Sequence, residues 1–471
     1  MLAASFKRTK IVATIGPSSN SPQVLEQIML AGANGLRLNF SHGTHEEHGA
    51  VIELARALAA KHERPAAIIG DLQGPKIRVG ILPTDGLPFV RGHVVRFQYG
   101  AEYDKNGVIP VQHDVSKYLK PGERIFLRDG QIEIEVEKIE KTLITGKVLA
   151  PGLLFSNQGM NLPDTDLGGD ILTDKDVADI EFLVKTDVDY IALSFVQTGQ
   201  DIINLKARLA KLKADVKVIA KIETAAAVDN LEEIYAATDA VMVARGDLAI
   251  ETKPEAVPAV QRRMVQLAKR YRKPVIVATQ MLESMIQSQS PTRAEVSDVA
   301  TAVIEGADAV MLSGESASGL FPVEAVAMMK RVILATERDQ AAQPAEPVRQ
   351  LATQDQANAI SAAAVVLASQ LPAKVIIAET ASGQTALNIS SLRPSQAIIM
   401  VTDRKRVHNQ LAIVWGGKSY LHSKPAEATE HVVHQLRAAG NIKVGDALVV
   451  ASGNQPGIPG GTNTVSIHVV Q

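Results

Sequence analysis

The chain has 471 residues, of which 46% are hydrophobic and 21% are charged, and its formal net charge is -2. At about 150 residues per domain, this length predicts roughly three globular domains. The near-neutral charge excludes the overall basic field that nucleic-acid-binding proteins use, and the absence of cysteine excludes disulfides and thiolate metal sites.

The N-terminal stretch MLAASFKRTK lacks the apolar region and cleavage pattern of a signal peptide. The longest run of small apolar residues, Ala359–Ala368, is interrupted by Ser361 and is shorter than the ~18 residues that a membrane helix needs. We therefore expect a cytoplasmic protein with no membrane partner and no nucleic-acid partner.

Strands and helices alternate along the first part of the chain. A serine N-cap followed by proline at Ser21-Pro22 is typical of a helix start. The other elements predicted in this part are strands at Thr9–Ile15, Gly35–Phe40 and Ala66–Leu72 and a helix at His45–Lys61.

The alternation of strands and helices breaks at about Lys76. From there to about Pro163 the chain is rich in Val, Ile, Glu, Gly and Pro, and alternating runs such as Gln131–Ile139 indicate short strands. A small β-barrel insert, acting as a lid, is therefore predicted at 76–164. Helical patterns resume at Thr173, which resembles a capping box with Asp176.

Five further strands, with helical patterns between them, complete the next part of the chain. They are predicted at Tyr190–Phe195, Lys217–Ile222, Ala240–Ala244, Pro274–Thr279 and Ala309–Ser313. Eight βα units, the third interrupted by the insert, indicate a closed (β/α)8 barrel of the TIM type at 1–75 and 165–337. An open doubly wound sheet is the alternative, but its GxGxxG phosphate fingerprint is missing.

The composition changes after Lys330. The segment Glu337–Gln350 is polar, contains Pro344 and Pro347, and is predicted to be a linker. A C-terminal α/β regulatory domain is predicted at 351–471 from strands at Val375–Ala378, Ala397–Val401 and Ala447–Ala451.

Two charged pairs follow apolar strands, Lys221 with Glu223 and Arg245 with Asp247. Because residues two apart share one face of a strand, the members of each pair are predicted to point the same way. Carboxylate oxygens suit a hard divalent cation, so Glu223 and Asp247 are candidate metal ligands, and Lys221 would face a transferring anion. The alternative is that the two carboxylates only form salt bridges with Lys221 and Arg245.

Polar side chains also end the other predicted barrel strands, where active sites of such barrels lie. On the second strand, Arg37, Asn39 and Ser41 share the face predicted to look into the barrel mouth. The remaining strand-end groups are Asp71, Ser194, Thr279, Ser313 and Glu315.

The chain resembles the pyruvate kinase family over essentially its full length. Eight motifs occur in order, at Thr9–Pro17, Arg37–Gly43, Asp71–Arg78, Lys221–Glu223, Ala244–Asp247, Ala278–Met281, Pro291–Glu295 and Leu312–Glu315. The resemblance implies transfer of a phosphoryl group from phosphoenolpyruvate to ADP, the final step of glycolysis, followed by protonation of the enolate to pyruvate.

The resemblance also implies a role for each strand-end residue. Glu223 and Asp247 would hold Mg2+, with Mn2+ as a substitute, and Lys221, Arg37 and Arg78 would bind the transferring phosphoryl group. Thr279 would lie beside the carbon that receives the proton, with a relay through Ser313 and Glu315. The implied substrate contacts are completed by Ser194, Ala244, Arg245 and Gly246, and the implied nucleotide contacts are Thr14, Pro17, Asn39, His42 and Arg78. His42 could alternatively be a helix-entry cap.

A monovalent-cation pocket is implied at Asn39, Ser41, Asp71 and the backbone of Leu72. This chain has Lys76 where relatives that depend on K+ have glutamate. An ammonium group can supply the positive charge of K+, so we expect catalysis that does not require K+.

The segment Thr380–Thr385 resembles the effector-phosphate loop of the family, with Thr380, Ser382, Gly383 and Thr385 as the implied contacts. Ala381 and Gln384 stand where relatives that bind fructose 1,6-bisphosphate often have basic residues. The expected allosteric effector is therefore a sugar monophosphate or a nucleoside monophosphate, and the alternative is an ordinary helix cap. A homotetramer is a further expectation from the family.

Two rival functions are a Mg2+-dependent aldolase or lyase of the phosphoenolpyruvate/pyruvate barrel group and a non-catalytic effector-binding relative. The first group lacks the lid insert and the Arg37–His42 motif, both present here. A non-catalytic relative is expected to lose Lys221 or a metal ligand, and the sequence retains them.

Overall fold

The computed structural model describes residues 6–103, 107–128, 130–165, 171–341, 355–453 and 461–471. In chain order, the first elements are β1 (Lys10–Ile15), α1 (Pro22–Ala31), β2 (Gly35–Asn39), α2 (His45–Lys61) and β3 (Ala67–Asp71). The Ser21 hydroxyl accepts a hydrogen bond from the Val24 N–H, and Thr44 forms a capping box with Glu47. The predicted elements of this part are confirmed within a residue at each end, whereas residues 1–5 of the N-terminal stretch lie outside the described residues.

A β insert separates β3 from the rest of the barrel. Its strands are β4 (Leu87–Phe89), β5 (Val94–Tyr99), β6 (Val108–Val111), β7 (Arg124–Leu127), β8 (Ile132–Glu140), β9 (Leu143–Ala150), β10 (Gly152–Leu154) and β11 (Met160–Asn161). Six of these strands form a sheet in the order β11-β7-β8-β9-β5-β6, and β4 pairs with β10. The insert has a hydrophobic core of its own, which includes Phe97, Ile125 and Ile134.

The remaining barrel elements follow the insert. They are α3 (Asp174–Lys185), β12 (Tyr190–Leu193), α4 (Gly199–Lys211), β13 (Lys217–Ile222), α5 (Ala225–Asp229), α6 (Leu231–Ala237), β14 (Ala240–Ala244), α7 (Arg245–Glu251), α8 (Val257–Tyr271), β15 (Val275–Ala278), α9 (Arg293–Glu305), β16 (Ala309–Leu312), α10 (Gly314–Ala317) and α11 (Pro322–Ala341). Eight parallel strands close in the order β1-β16-β15-β14-β13-β12-β3-β2. This closure confirms the predicted (β/α)8 barrel and excludes an open doubly wound sheet.

Strand β2 shows how the pattern of the sequence builds the barrel. Leu36, Leu38 and Phe40 are each 1% exposed and belong to the core between strands and helices. Arg37 and Asn39 alternate with them and are only partly buried. The predicted division of this strand into an apolar outer face and a polar inner face is therefore confirmed.

The C-terminal domain contains α12 (Gln356–Gln370), β17 (Val375–Glu379), α13 (Gln384–Ser391), β18 (Ala397–Thr402), α14 (Lys405–Gln410), β19 (Gly417–Leu421), α15 (Ala428–Ala438), β20 (Ala447–Gly453) and β21 (Thr462–Val469). Its sheet has the order β19-β18-β17-β20-β21, with β21 antiparallel to β20. The three predicted strands are confirmed, and β19 and β21 are additional.

A short turn of the C-terminal domain closes the bottom of the barrel. Ala412 and Ile413 share a buried cluster with residues inside the barrel such as Val12 and Tyr190. The Tyr190 hydroxyl also donates a hydrogen bond to the Gln410 carbonyl over 3.0 Å. The two domains therefore share part of one core.

The predicted linker begins too early in the sequence. Helix α11 continues to Ala341, and Glu337 is 7% exposed. Its carboxylate accepts hydrogen bonds from the backbone N–H groups of Arg8 and Thr9, which lie just before β1. Glu337, which belongs to the predicted linker, is thus buried by a tertiary contact. Residues 342–350 and the first residues of the predicted domain at 351–471 lie outside the described residues. Across the part of the chain that the structure describes, no helix is long and apolar enough to cross a membrane.

Candidate active site

Asp71 joins two cations at the C-terminal mouth of the barrel. It ends β3, is 1% exposed, and its Oδ2 lies 2.5 Å from Arg37 Nε, whereas its Oδ1 lies 3.2 Å from Lys221 Nζ. Burial would raise the pKa of Asp71, but Arg37 and Lys221 outweigh burial and lower that pKa. Asp71 therefore stays ionised between two cations, one from β2 and one from β13.

Lys221 is held by three oxygen atoms. Its Nζ donates to Ser194 Oγ over 2.7 Å and lies 2.9 Å from Glu223 Oε1, in addition to its contact with Asp71. The Ser194 hydroxyl in turn donates to the Leu72 carbonyl over 2.7 Å. Burial would lower the pKa of Lys221, but Asp71 and Glu223 raise that pKa above its ordinary value, so the ammonium stays charged at neutral pH.

Glu223 and Asp247 are the predicted metal ligands. Glu223 is 2% exposed and accepts a hydrogen bond from the Phe195 N–H over 2.8 Å. Burial raises the pKa of Glu223, Lys221 lowers it, and the charge of Asp247 raises it further. The charge of Asp247 thus disfavours ionisation of Glu223, and a bound divalent cation would offset this effect.

The donor set at these carboxylates fits Mg2+. Among the described residues, no group of three or more His, Cys, Asp or Glu side chains is arranged to hold a metal ion. Mg2+ is usually held by one or two carboxylates and completed by water and substrate phosphates, so two carboxylates at the barrel mouth are sufficient.

The prediction that Arg245 and Asp247 point the same way is wrong. Strand β14 ends at Ala244 and α7 begins immediately at Arg245, so the two-residue period of a strand no longer applies. Arg245 is 9% exposed and donates to the Ala278 and Thr279 carbonyls and to Asp298. The Arg245 guanidinium is therefore occupied by these acceptors. They take the place of the predicted contact with the substrate and of the alternative salt bridge with a metal-binding carboxylate. Ala244, the last residue of β14, is 3% exposed.

Thr279 lies against Gly246 at the mouth of the barrel. Its Oγ1 accepts a hydrogen bond from the Gly246 N–H over 2.9 Å and donates to the Ala278 carbonyl over 2.6 Å. Ser313 Oγ is buried without a hydrogen-bond partner in the described structure. Lys76, Asp247, Thr279 and Ser313 line a cavity of about 530 Å3 between the barrel mouth and the insert.

Glu315 does not face this cavity. It is completely buried, and its two carboxylate oxygens accept hydrogen bonds from the N–H groups of Leu282 and Ser313 over 3.0 and 2.7 Å. Glu315 therefore joins the loops that contain Leu282 and Ser313. Its carboxylate has no direct contact with the cavity through which the predicted proton relay would run.

The predicted nucleotide side lies around the end of β2. Arg37 Nη1 donates to Thr14 Oγ1 over 3.2 Å, and the Asn39 side-chain oxygen accepts from the Ser41 N–H over 3.2 Å. Arg78 is partly buried and donates to the Asn157 carbonyl of the insert, and Pro17 lies in the turn after β1.

His42 follows β2 at the same rim. Burial lowers its pKa, and the nearby cations Arg78, Arg37 and Lys76 lower it further, so the ring is neutral at neutral pH. The cap of helix α2 is Thr44, so the alternative that His42 caps this helix is wrong.

Lys76 reaches the metal side of the mouth. Its Nζ lies 3.4 Å from Asp247 Oδ1, whereas both Asp71 oxygens are engaged by Arg37 and Lys221. The Lys76 ammonium thus contacts Asp247, a candidate metal ligand, and not Asn39, Ser41 or Asp71.

Sequence reasoning missed Glu251, which joins the barrel to the insert. Glu251 accepts a hydrogen bond from the Asn161 side chain over 3.2 Å, and burial raises the pKa of Glu251 to about 7. Its spacing of four residues from Asp247 on α7 was the available signal, because residues at this spacing share a helix face.

The candidate effector loop lies between β17 and α13. The Thr380 hydroxyl accepts from the Gly383 N–H over 2.9 Å, and Gly383 has a φ of 90°. The Thr385 and Thr462 hydroxyls are 2.6 Å apart. The barrel residue Lys217 lies close to this loop, because its Nζ would be 3.7 Å from a Cβ atom built on Gly383.

A closed (β/α)8 barrel with buried cations and two adjacent carboxylates at its mouth defines a barrel enzyme built to bind an anionic, metal-associated substrate. The family model "Pyruvate kinase, barrel domain" matches residues 6–326, and "Pyruvate kinase, alpha/beta domain" matches residues 358–468. The chain belongs to the pyruvate kinase family, and it is a phosphotransferase.

Individual relatives agree with this assignment. The chain is 40% identical to a pyruvate kinase of Agrobacterium vitis, with 99% of each chain covered, and 37% identical to a pyruvate kinase of Mycobacterium tuberculosis, with 98% of each covered. Its structure resembles the crystal structure of a pyruvate kinase from Cryptosporidium parvum with a TM-score of 0.90 and 33% identity, covering 99% of this chain and 97% of that chain.

Proposed function

We propose that this chain transfers the phosphoryl group of phosphoenolpyruvate to ADP in the cytoplasm, giving ATP and pyruvate as the last step of glycolysis. The observation that carries the proposal is the Arg37–Asp71–Lys221 network beside Glu223 and Asp247. It supplies fixed positive charge next to two carboxylates that suit a divalent cation.

In the first step, the bond between phosphorus and the enol oxygen breaks, and a bond forms between phosphorus and a terminal oxygen of ADP. Negative charge is spread over the transferring oxygens, and Lys221 and Arg37 stabilise it because both are fixed before the substrate binds. Lys221 cannot release its proton readily at neutral pH, because Asp71 and Glu223 raise its pKa.

Glu223 and Asp247 are the residues that would hold Mg2+, or Mn2+ in its place. When bound there, the metal ion supplies neutralising charge to substrate oxygens. The N–H groups of Gly246 and Asp247 are proposed to orient the substrate carboxylate.

In the second step, the enolate carbon accepts a proton and becomes the methyl group of pyruvate. Thr279 is proposed to pass this proton from water, and Ser313 lines the same cavity. The Thr279 hydroxyl donates to the Ala278 carbonyl, so its O–H bond must turn away from that carbonyl to serve this step.

A coupled assay with phosphoenolpyruvate, ADP and Mg2+ tests the reaction. Lys221→Ala should bind phosphoenolpyruvate and lose about 10²–10³ in kcat, as expected for removal of one fixed charge-stabilising group. Lys206→Ala is a matched control, because Lys206 pairs with Asp239 outside the site. Pyruvate formed without ADP would favour a lyase, and absence of turnover by the unmodified enzyme would favour a non-catalytic relative.

We also propose that catalysis does not require K+, because Lys76 carries a positive charge to the mouth. Asn39, Ser41, Asp71 and the Leu72 carbonyl would form the corresponding cation pocket. In buffer free of K+, the unmodified enzyme should be fully active, and Lys76→Glu should gain activation by K+. A strong rise in the rate of the unmodified enzyme on adding K+ would contradict this proposal.

The C-terminal domain is proposed to bind a sugar monophosphate or nucleoside monophosphate at Thr380, Ser382, Gly383 and Thr385 within a homotetramer. The nearby Lys217 Nζ supports an anionic ligand at this loop. Ser382→Asp should abolish activation by glucose 6-phosphate and AMP without changing the basal rate, whereas Ser369→Asp, at an exposed site, should retain activation. Unchanged activation of the Ser382 variant would argue for an ordinary helix cap.

A further inference from the structure

Arg245 makes a set of contacts that the reaction described above does not use. Its guanidinium donates to three successive backbone carbonyls, those of Ala278, Thr279 and Gln280, over 3.3, 2.7 and 3.2 Å. A fourth bond, 2.7 Å long, joins it to Asp298. The rigid planar fork of an arginine is suited to holding several acceptors in fixed relative positions.

The segment that Arg245 holds has an unusual backbone. Thr279 has a φ of 68° and Gln280 a φ of 51°, so two successive residues other than glycine adopt the left-handed conformation. A β-branched residue in this region is a genuine outlier, and each such residue costs about 1–3 kcal/mol. This conformation persists only if surrounding contacts determine it, and Arg245 supplies three of them.

The strained backbone sets the position of one hydroxyl. Thr279 Oγ1 receives the Gly246 N–H over 2.9 Å, and Gly246 follows Arg245 directly in α7. Thr279 is therefore held at two points. The Arg245 guanidinium donates to its backbone carbonyl, and the Gly246 N–H donates to its side-chain hydroxyl. A relaxed Thr279 would lose this placement beside the cavity that it lines.

We propose that Arg245 is a positioning residue for the protonation of the enolate, acting through Thr279 and making no contact with the substrate. This inference rests on the proposed function, because it assigns a part of that reaction. Two residues close together in the chain would then have different roles. Asp247 would bind the metal ion, and Arg245 would position the Thr279 hydroxyl.

The first test compares Arg245→Lys with Arg56→Lys. Arg56 is a matched control, because it is equally buried and also bonds a carbonyl, that of Ala66, and a carboxylate, that of Asp189, away from the barrel mouth. Arg245→Lys should lower kcat by about 10–100-fold, since a small misplacement of a reacting group has this effect, while KM for phosphoenolpyruvate changes little. Arg56→Lys should keep kcat.

The second measurement isolates the proton step. The enzyme is incubated with pyruvate and Mg2+ in D2O, and deuterium in the pyruvate methyl group is followed by NMR. Arg245→Lys should slow this exchange at least as much as it slows the overall reaction. Adding Arg245→Lys to Thr279→Ala should cause little further loss, because residues that act through one another are not additive.

Three outcomes would overturn the inference: a rise in KM at constant kcat, which marks a substrate ligand; equal losses in both arginine variants; or full additivity with Thr279→Ala. If Arg245→Lys does not fold, Asp298→Ala provides the same tests with one support of the guanidinium removed. An unmodified enzyme that does not convert phosphoenolpyruvate and ADP would instead refute the proposed function.

Discussion

Replacing Asp71 by asparagine should shift the pH range in which the enzyme works. Asp71 is the strongest of the charges that raise the pKa of Lys221. At their separation of 3.2 Å, the attraction is about 5 kcal/mol for an effective dielectric constant near 20. Without it, burial dominates and the pKa of Lys221 falls, so the ammonium begins to lose its proton at lower pH.

The assay is the pH profile of kcat between pH 6 and 9.5. In Asp71→Asn, the ratio of kcat at pH 9 to kcat at pH 7 should fall severalfold relative to the unmodified enzyme, since about 1.4 kcal/mol moves the midpoint of the Lys221 titration by one pH unit and the lost attraction is several times larger. Folding should also weaken by about 3 kcal/mol, because a buried ion pair is broken.

Asp308→Asn separates the effect on pH from the loss of stability. Asp308 is also buried and pairs with Arg393 over 2.9 Å at the opposite end of the barrel. This variant should lose stability to a similar degree and keep the unmodified pH profile. Parallel profiles for all three proteins would refute the argument that Asp71 maintains the charge of Lys221.

Three further predictions concern other charged groups. Glu251→Gln should stabilise the fold relative to the unmodified protein at pH 8 but not at pH 5 in urea unfolding. Burial raises the pKa of Glu251 from 4.5 to about 7, so the unfolded state ionises first and the unmodified protein loses stability as pH rises through this range. Burial lowers the pKa of His408 to about 4, so the unfolded state binds more protons between about pH 4 and 6.5, and the unmodified protein should lose more stability than His408→Asn as pH falls through this range. Glu223→Gln and Asp247→Asn should each weaken Mn2+ binding at least about tenfold by electron paramagnetic resonance, whereas Glu315→Gln should not, because the Glu315 carboxylate faces two backbone N–H groups.

The barrel and half of its charged site could be predicted because they depend on local rules. Strand β13 ends at Ile222, and the two-residue period still holds one position further, so Lys221 and Glu223 meet as predicted. The same rule fails for Arg245, because α7 starts at that residue and its N-cap, Ala244, makes no side-chain cap hydrogen bond. Without a capping side chain, the sequence at this junction offered no reason to abandon the two-residue period of the strand.

Contacts between distant parts of the chain could not be predicted. The carboxylate of Glu337 binds the backbone before β1, and Ile413 fills the bottom of the barrel, across more than 300 residues in each case. Strand β21 was also missed, because it is an edge strand with several polar residues and lacks the apolar run of a buried strand.

The charges at the barrel mouth support the proposal that this chain does not require an additional monovalent cation. Each of its three carboxylates, Asp71, Glu223 and Asp247, lies within 3.4 Å of a cationic side chain. A small cation at Asp71 would compete with Arg37 and Lys221 for both oxygens, at a site that is already neutralised. Lys76 adds its charge on the other side of the mouth, next to Asp247, where an anionic substrate and its metal ion would meet. Under this proposal, the positive charge that the reaction needs is covalently part of the chain, and the rate should not depend on K+ in solution.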